Sequence, residues 1–271
     1  MTTIMSSNRR INQRAKNPQE KAGKPAPVEQ IYGFHPVVAA LSNPARRNRR
    51  LLMTQEAQNS LENNAESPDL SELKSGVKEW QTVARPEIDA ILPSGAVHQG
   101  LLLECAPLPA LSLDEACSPG GGKAPVLLLD QVSDPHNVGA ILRSAAAFGA
   151  RAVVIQERHS PAATGALAKA ASGALETVPL VRVTNLSRAM GQLQEMGYWL
   201  IGLDSDADMR LGGESVRHPV ALVLGAEGSG LRRLTRENCD TLAAIKLADS
   251  MHSLNVSNAA AVALYQLTVD D

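Results

Sequence analysis

The chain has 271 residues, 44% of them hydrophobic but only 3% aromatic, so it can bury one large core or two modest ones and must build them from aliphatic side chains. Its formal net charge of −2 excludes a global basic field but not a local patch for nucleic acid. Cys105, Cys117 and Cys239 are odd in number and widely spaced, which argues against a disulfide framework or a cysteine zinc site and suits a reducing cytoplasm.

Residues 1–29 read as a disordered basic tail. Arg9, Arg10, Arg14, Lys16, Lys21 and Lys24 outnumber Glu20 and Glu29. The segment is either a solvated tail or an arm that adds salt-sensitive affinity for RNA. It has no apolar run resembling a signal peptide, and no stretch of the chain reaches the roughly 18 apolar residues of a membrane span.

From Ile31 the pattern becomes globular. Tyr32-Gly33-Phe34 leads into an expected helix over 35–41, followed by a strand at 50–53 and a polar loop at 59–67. A short helix at 69–74, a strand at 80–83, a short helix at 86–92 and a buried strand at 100–105 complete a small α/β unit over 30–106. Residues 107–124, rich in Pro and Gly, read as a linker. Gly120-Gly121-Gly122-Lys123 lacks the leading Gly and trailing Ser/Thr of a phosphate loop.

From 125 to 271 strands and helices alternate. Strands are expected at 126–130, 152–155, 178–183, 198–203, 220–224 and 242–247. Helices are expected at 137–148, 164–175, 186–196, around 231–238, and 257–268, with Asn185 capping the third and Gly197 ending it. Nearly continuous apolar strands between helices argue for an α/β fold with a parallel sheet covered on both faces.

Three polar segments follow strands of this second unit. The first runs from Asp134-Pro135-His136 into Asn137-Val138-Gly139-Ala140-Ile141-Leu142-Arg143. Asn137 can cap the helix or hold a neighbouring loop, Gly139 permits close backbone approach, and Arg143 offers a five-donor fork. The second, Leu224-Gly225-Ala226-Glu227-Gly228-Ser229-Gly230-Leu231, encloses one carboxylate among glycines. It is neither GxGxxG nor a GK[ST] loop, and the carboxylate can pin a neighbouring loop or an arginine. The third, Ser253-Leu254-Asn255-Val256-Ser257-Asn258, precedes an alanine run that lets a neighbour, within the chain or across a dimer, pack very close. Each segment alone could be an ordinary capped turn. No nucleophile elbow, HExxH motif or histidine-rich metal cluster is present. A polar set without metal or strong nucleophile suits orienting two substrates for direct displacement.

In order and spacing, these segments resemble the signature motifs of the SpoU (TrmH) family of the SPOUT superfamily of RNA methyltransferases. Ile31-Tyr32-Gly33-Phe34-His35 and His98-Gln99-Gly100 are similar to the family's ribosomal-protein-like substrate-binding domain. The two-unit arrangement is most like the bacterial enzymes that methylate guanosine 2′-O in large-subunit rRNA.

The resemblance implies S-adenosylmethionine as donor, the ribose 2′-OH of RNA as acceptor (23S rRNA, with tRNA as alternative), a trefoil knot in the C-terminal unit, and a homodimer with the active site near its interface. It implies catalytic roles for Asn137, Arg143, Glu227, Ser253 and Asn255. It implies donor contacts at Gly225, Ile245 and Leu254, with Leu203 as a further wall. Ile245-Lys246-Leu247 departs from the family's common Ile-Pro-Met, and Asn258 and Ala261 replace a common Val and Gly. A rival reading keeps the fold as a non-catalytic RNA-binding or ribosome-assembly protein; a dehydrogenase is disfavoured because no GxGxxG follows a strand.

Overall fold

The computed structural model describes residues 27–63, 69–118, 120, 122–158, 160–161, 165–212, 217–248, 250–251 and 253–268. The basic tail therefore lies almost wholly outside the described residues, as do 64–67 of the expected polar loop. Within them the chain forms a four-stranded sheet followed by a six-stranded one.

The first sheet contains β1 (Glu29–Tyr32), β2 (Asn48–Met53), β3 (Val77–Thr82) and β4 (Leu101–Cys105) in the order β1-β4-β2-β3. β4 runs antiparallel to both β1 and β2, while β2 and β3 are parallel. Its helices are α1 (Phe34–Ser42), α2 (Gln55–Asn63), α3 (Leu70–Ser75) and α4 (Arg85–Asp89). Two expectations need correction here. Glu29 opens β1 instead of closing a tail. Residues 59–63, expected as loop, belong to α2, which buries only Ala57 and Leu61. That i, i+4 pair is a helical stripe too sparse to dominate a polar sequence.

The expected linker contains α5 (Leu113–Cys117). Ser112 caps it: its hydroxyl accepts from Glu115 N (3.2 Å), and the Glu115 carboxylate accepts from Ser112 N (2.8 Å). Leu113, Ala116 and Cys117 are buried in the core of the second sheet, so this segment is structural rather than a spacer.

The second sheet orders its strands β10-β8-β9-β5-β6-β7, all parallel. They are β5 (Val126–Leu129), β6 (Ala152–Gln156), β7 (Leu180–Val183), β8 (Trp199–Leu203), β9 (Val220–Leu224) and β10 (Thr241–Ala243). The helices are α6 (Pro135–Ala147), α7 (Gly165–Ala171), α8 (Leu186–Glu195), α9 (Arg233–Glu237) and α10 (Val256–Thr268), with a 3₁₀ turn at Ala174–Glu176. Asn185 accepts from Arg188 N to cap α8, and Gly197 follows that helix at φ 92°. The last strand is shorter than its sequence suggests: regular pairing stops at Ala243, short of the expected 247.

Alternate residues of the central strands face opposite cores. Leu127, Leu129, Val153, Ile155, Leu222 and Leu224 share one core with α6, α7, α10 and the first sheet's Ile31, Leu51, Met53, Leu101 and Leu103. Val126, Leu128, Val154, Ala221 and Val223 pack on the other side with α5 and α8. The two sheets are thus joined by one continuous apolar body.

A buried ion pair reinforces that joint. Arg46 is 1% exposed at its side chain and pairs with Glu176 (2.8 Å) from the second region and Glu29 (2.7 Å) from the first. Burial opposes its charge, but hydrogen bonding and attraction from Glu176 and then Glu29 outweigh this and hold its pKa above the ordinary arginine value. Asn43 also donates to Glu176 (2.8 Å).

Candidate functional site

Strand order reverses around β5, whose neighbours are β6 and β9. Open α/β sheets place ligands outside the carboxyl ends of strands near such a reversal. Here a cavity of about 490 Å³ opens outside the carboxyl ends of β8, β9 and β10. It is lined by Leu203 to Asp206 after β8, Leu224 to Leu231 after β9, Ile245 and Leu247 after β10, and Ser253 to Val256 leading into α10.

All four residues expected at the donor pocket, Leu203, Gly225, Ile245 and Leu254, line this cavity, as do Glu227, Ser253 and Asn255. Asn137 and Arg143 are not among the lining residues. Asn137 reaches the group by hydrogen bonding instead. Asp134, not Asn137, caps α6, accepting from His136 N (2.9 Å). That leaves the Asn137 side chain free to accept from Asn255 Nδ2 (3.1 Å).

Asn255 joins all three polar segments. Its Nδ2 donates to Asn137 Oδ1 and to Glu227 Oε1. Its Oδ1 accepts from Ser257 N (2.9 Å) and Ser257 Oγ (2.6 Å), capping α10. Both ends of the amide are committed, so neither a carboxylate nor a hydroxyl could replace it fully. Residues 118 and 28 apart in sequence are thereby pinned together.

The glycine loop folds on itself. Ala226 and Gly230 bridge by reciprocal backbone hydrogen bonds of 3.2 and 2.9 Å. A Cβ at Gly225 would lie 2.1 Å from the Gly230 carbonyl carbon, so this glycine serves the loop's own close turn. Gly228 and Gly230 adopt φ of 77° and 65°, a region other residues seldom enter. Beyond the loop, Arg232 donates from its backbone N (3.0 Å) and Nε (2.7 Å) to Asp130. Asp130 is fully buried at the end of β5, so the loop's exit is tied to the adjacent strand.

Arg143 is exposed on α6 and makes no hydrogen bond or ion pair among the described residues. It is the one expected catalytic residue that this single chain does not bring to the group. Gly139, by contrast, does what its small size suggests: a Cβ there would lie 2.4 Å from the Ala170 Cβ of α7.

Sequence reasoning missed Asp130, Asp204, Asp206, Arg232 and Arg236. Arg236 pairs with Asp204 at the cavity wall. The Asp204-Ser205-Asp206 run follows an apolar strand just as the three recognised segments do, and that was the available signal. Of the departures noted above, Lys246 is exposed and absent from the wall while Ile245 and Leu247 line it, and Asn258 is exposed on α10.

Chemically, the cavity combines apolar walls (Leu203, Leu224, Ile245, Leu247, Leu254), backbone groups of the glycine loop and the carboxylates Asp204, Asp206 and Glu227. That donor set fits a cationic sulfonium nucleoside: apolar slot for a base, acceptors for a diol, negative charge for positive. Among the described residues no cluster of His, Cys, Asp and Glu could hold a metal, and no helix is long and apolar enough to cross a membrane.

The SpoU rRNA Methylase family matches residues 124–265, and the family described as RNA 2′-O ribose methyltransferase substrate binding matches residues 30–111. The chain is 40% identical over 248 residues to the 23S rRNA (guanosine-2′-O-)-methyltransferase RlmB of Escherichia coli K12, covering 88% of this chain and 97% of that protein. It is 48% identical over 170 residues to the protein of that name from Ralstonia nicotianae, covering 62% and 68%. The SpoU methyltransferase AviRb from Streptomyces viridochromogenes, crystallised with AdoMet, has the same fold, with TM-score 0.71, 24% identity and 89% of each chain covered.

Proposed function

The chain belongs to the SpoU rRNA methylase family, and from that premise we propose that it transfers a methyl group from S-adenosylmethionine to the 2′-OH of a guanosine in 23S rRNA. The observation that carries the site assignment is the Asn255 amide, which draws Asn137 and Glu227 to the mouth of the lined cavity. Relatives that act on 23S rRNA match along 88% of the chain, which favours rRNA over tRNA. Intact polar motifs speak against a non-catalytic relative.

When bound, S-adenosylmethionine supplies an electrophilic methyl group on a good leaving group. Leu203, Gly225, Ile245 and Leu254 hold it through apolar walls and backbone. Ser253 positions the ribose, and Asn255, holding Glu227 and Asn137, fixes the loops so that the hydroxyl meets the methyl in line. Arg143 acts electrostatically. A guanidinium stays protonated, so it stabilises negative charge developing on the hydroxyl oxygen and clamps a phosphate instead of taking the proton.

The chain works as a homodimer that brings Arg143 to the partner's cavity. Support comes from α10, which packs on α6 yet exposes Tyr265 (54%) and Val262 (37%). We further propose that the segment after β9 threads a trefoil knot; in support, Asp204 N donates to Ala243 O, Ala244 N donates to Met209 O, and Leu211 N donates to Ala244 O. The units 30–106 and 125–271 correspond to substrate-binding and methyltransferase domains, and three reduced, free cysteines fit action in the cytoplasm.

The test is incubation of the purified chain with S-adenosylmethionine and a 23S rRNA transcript, followed by mapping of ribose methyl marks. One 2′-O-methylguanosine is expected. A mark on a base, or none, would refute the proposal.

A further inference from the structure

Two segments of the first region, Ile31-Tyr32-Gly33-Phe34-His35 and His98-Gln99-Gly100, meet each other and a lysine of the second region. Gln99 is exposed, at φ 53°, in the turn before β4. Its neighbour His98 is fully buried and holds that turn: Nδ1 accepts from Gly100 N (3.1 Å), and Nε2 donates to Asp89 Oδ1 (3.1 Å). The Gln99 side-chain oxygen accepts from Phe34 N (3.1 Å) at the start of α1 and from Lys169 Nζ of α7. The ammonium lies over Gly33, where a Cβ would come within 2.6 Å of it.

A second observation concerns where α7 sits. It stands between the first region and α6. At its start, a Cβ on Gly165 would lie 2.3 Å from Tyr32 Cε1 of β1. Ala170, next to Lys169, meets Gly139 of α6, and Gly139 is two residues from Asn137, which Asn255 holds. The placement of the first region on α7 is thus passed to α6 through close contacts, and tightly packed contacts transmit a shift instead of absorbing it. The Arg46–Glu176 pair anchors the same seam just beyond α7. One anchor permits a pivot; the Lys169–Gln99 hydrogen bond supplies the second. Lys169 is half-buried there, and burial lowers its pKa from the ordinary lysine value.

We infer that Lys169 and Gln99 are positioning residues for methyl transfer: their hydrogen bond sets the orientation of the first region against α7 and α6, and so the place where bound RNA meets the donor cavity. The inference rests on the proposed methyl transfer to RNA and adds how the two regions are aligned for it. Neither residue lines the donor cavity, so both act through α7 and α6 and not on the donor itself.

The test uses the full chain, S-adenosylmethionine and a 23S rRNA transcript. Single-turnover rates are measured with both saturating, and affinity for each is measured separately. Lys169→Met keeps the stem without the donor, and Gln99→Ala removes the acceptor. Gln99 is exposed and Lys169 only half-buried, so both variants should fold, and unchanged S-adenosylmethionine binding by calorimetry verifies this. Each should lower the single-turnover rate about tenfold with affinity for the transcript unchanged. The double variant should lose no more than the slower single variant, because the two side chains act as one pair. Gln99→Glu should recover most of the loss, since its carboxylate can accept from Phe34 N and pair with the ammonium. A wild-type rate in either single variant, losses that multiply in the double variant, or Gln99→Glu as slow as Gln99→Ala overturns the inference. So does a fall in affinity for the transcript, which would make Lys169 a direct RNA contact. A wild-type chain that binds the transcript but methylates no ribose would instead count against the proposed function.

Discussion

Strand β3 buries only Val77 of its six residues, whereas all five residues of β9 are buried. β3 is the edge of a mixed sheet whose second face is covered only by a small cluster around Leu52, Ile88, Leu92 and Leu102; β9 sits inside a parallel sheet with a large core on both sides. The difference sets what each region can do. A sheet buried on both faces has no surface of its own to offer, so its chemistry is confined to the loops at strand ends, held there by a rigid frame. The exposed edge strand of the first sheet can display charged side chains such as Lys78 and Glu79.

The sharpest way to break this division is at the joint between the regions. Arg46→Ala leaves Glu176, with a side chain 5% exposed, buried without its cation and held only by Asn43, and should cost about 3–5 kcal/mol in chemical denaturation. Next, Leu222→Ala empties a fully buried site in β9 and should cost about 2–5 kcal/mol in the same measurement.

Asn255→Asp keeps the oxygen that caps α10 but sets a second carboxylate against Glu227. Methyl transfer should fall on the order of 100-fold through misplacement of the loops, while thermal unfolding shows the chain still folded. Trp80→Ala in β3 should cost under about 1 kcal/mol, since the ring is 43% exposed and meets mainly the Lys74 ammonium at 3.6 Å. Equal costs at Leu222 and Trp80 would erase the contrast between the sheets.

The thiols should show no such contrast. Burial pushes Cys105 up to about 11 and Cys117 and Cys239 up to about 12, from an ordinary value of 9.0. The folded chain thus favours the protonated thiols. Their contribution to stability is complete below pH 9 and is lost as pH rises through 11 to 12. Alkylation at pH 8 should be slow for all three in the folded chain and fast in urea.

The same burial explains what was legible in the sequence. Val220–Leu224 is an unbroken apolar run and could be placed to the residue. Val77–Thr82 shows only Trp80 to Thr82 as strand-like, because its outward residues carry no pattern. α2 escaped notice because only Ala57 and Leu61 mark its inner face, and α5 because Pro and Gly around it masked the Ser112–Glu115 capping pair. The three polar segments stood out because each follows an apolar strand. Their meeting through Asn255 did not, since a contact 118 residues apart has no local trace. The role of Asp130 was hidden for the same reason: its partner Arg232 lies 102 residues on.

The central claim is that loops pinned by Asn255 serve a reaction whose charge is stabilised by Arg143. Single-turnover methylation by Arg143→Ala, with S-adenosylmethionine and 23S rRNA transcript saturating, tests it most directly. The account predicts a fall of about 100-fold or more with donor affinity unchanged. Turnover at the wild-type rate would contradict it.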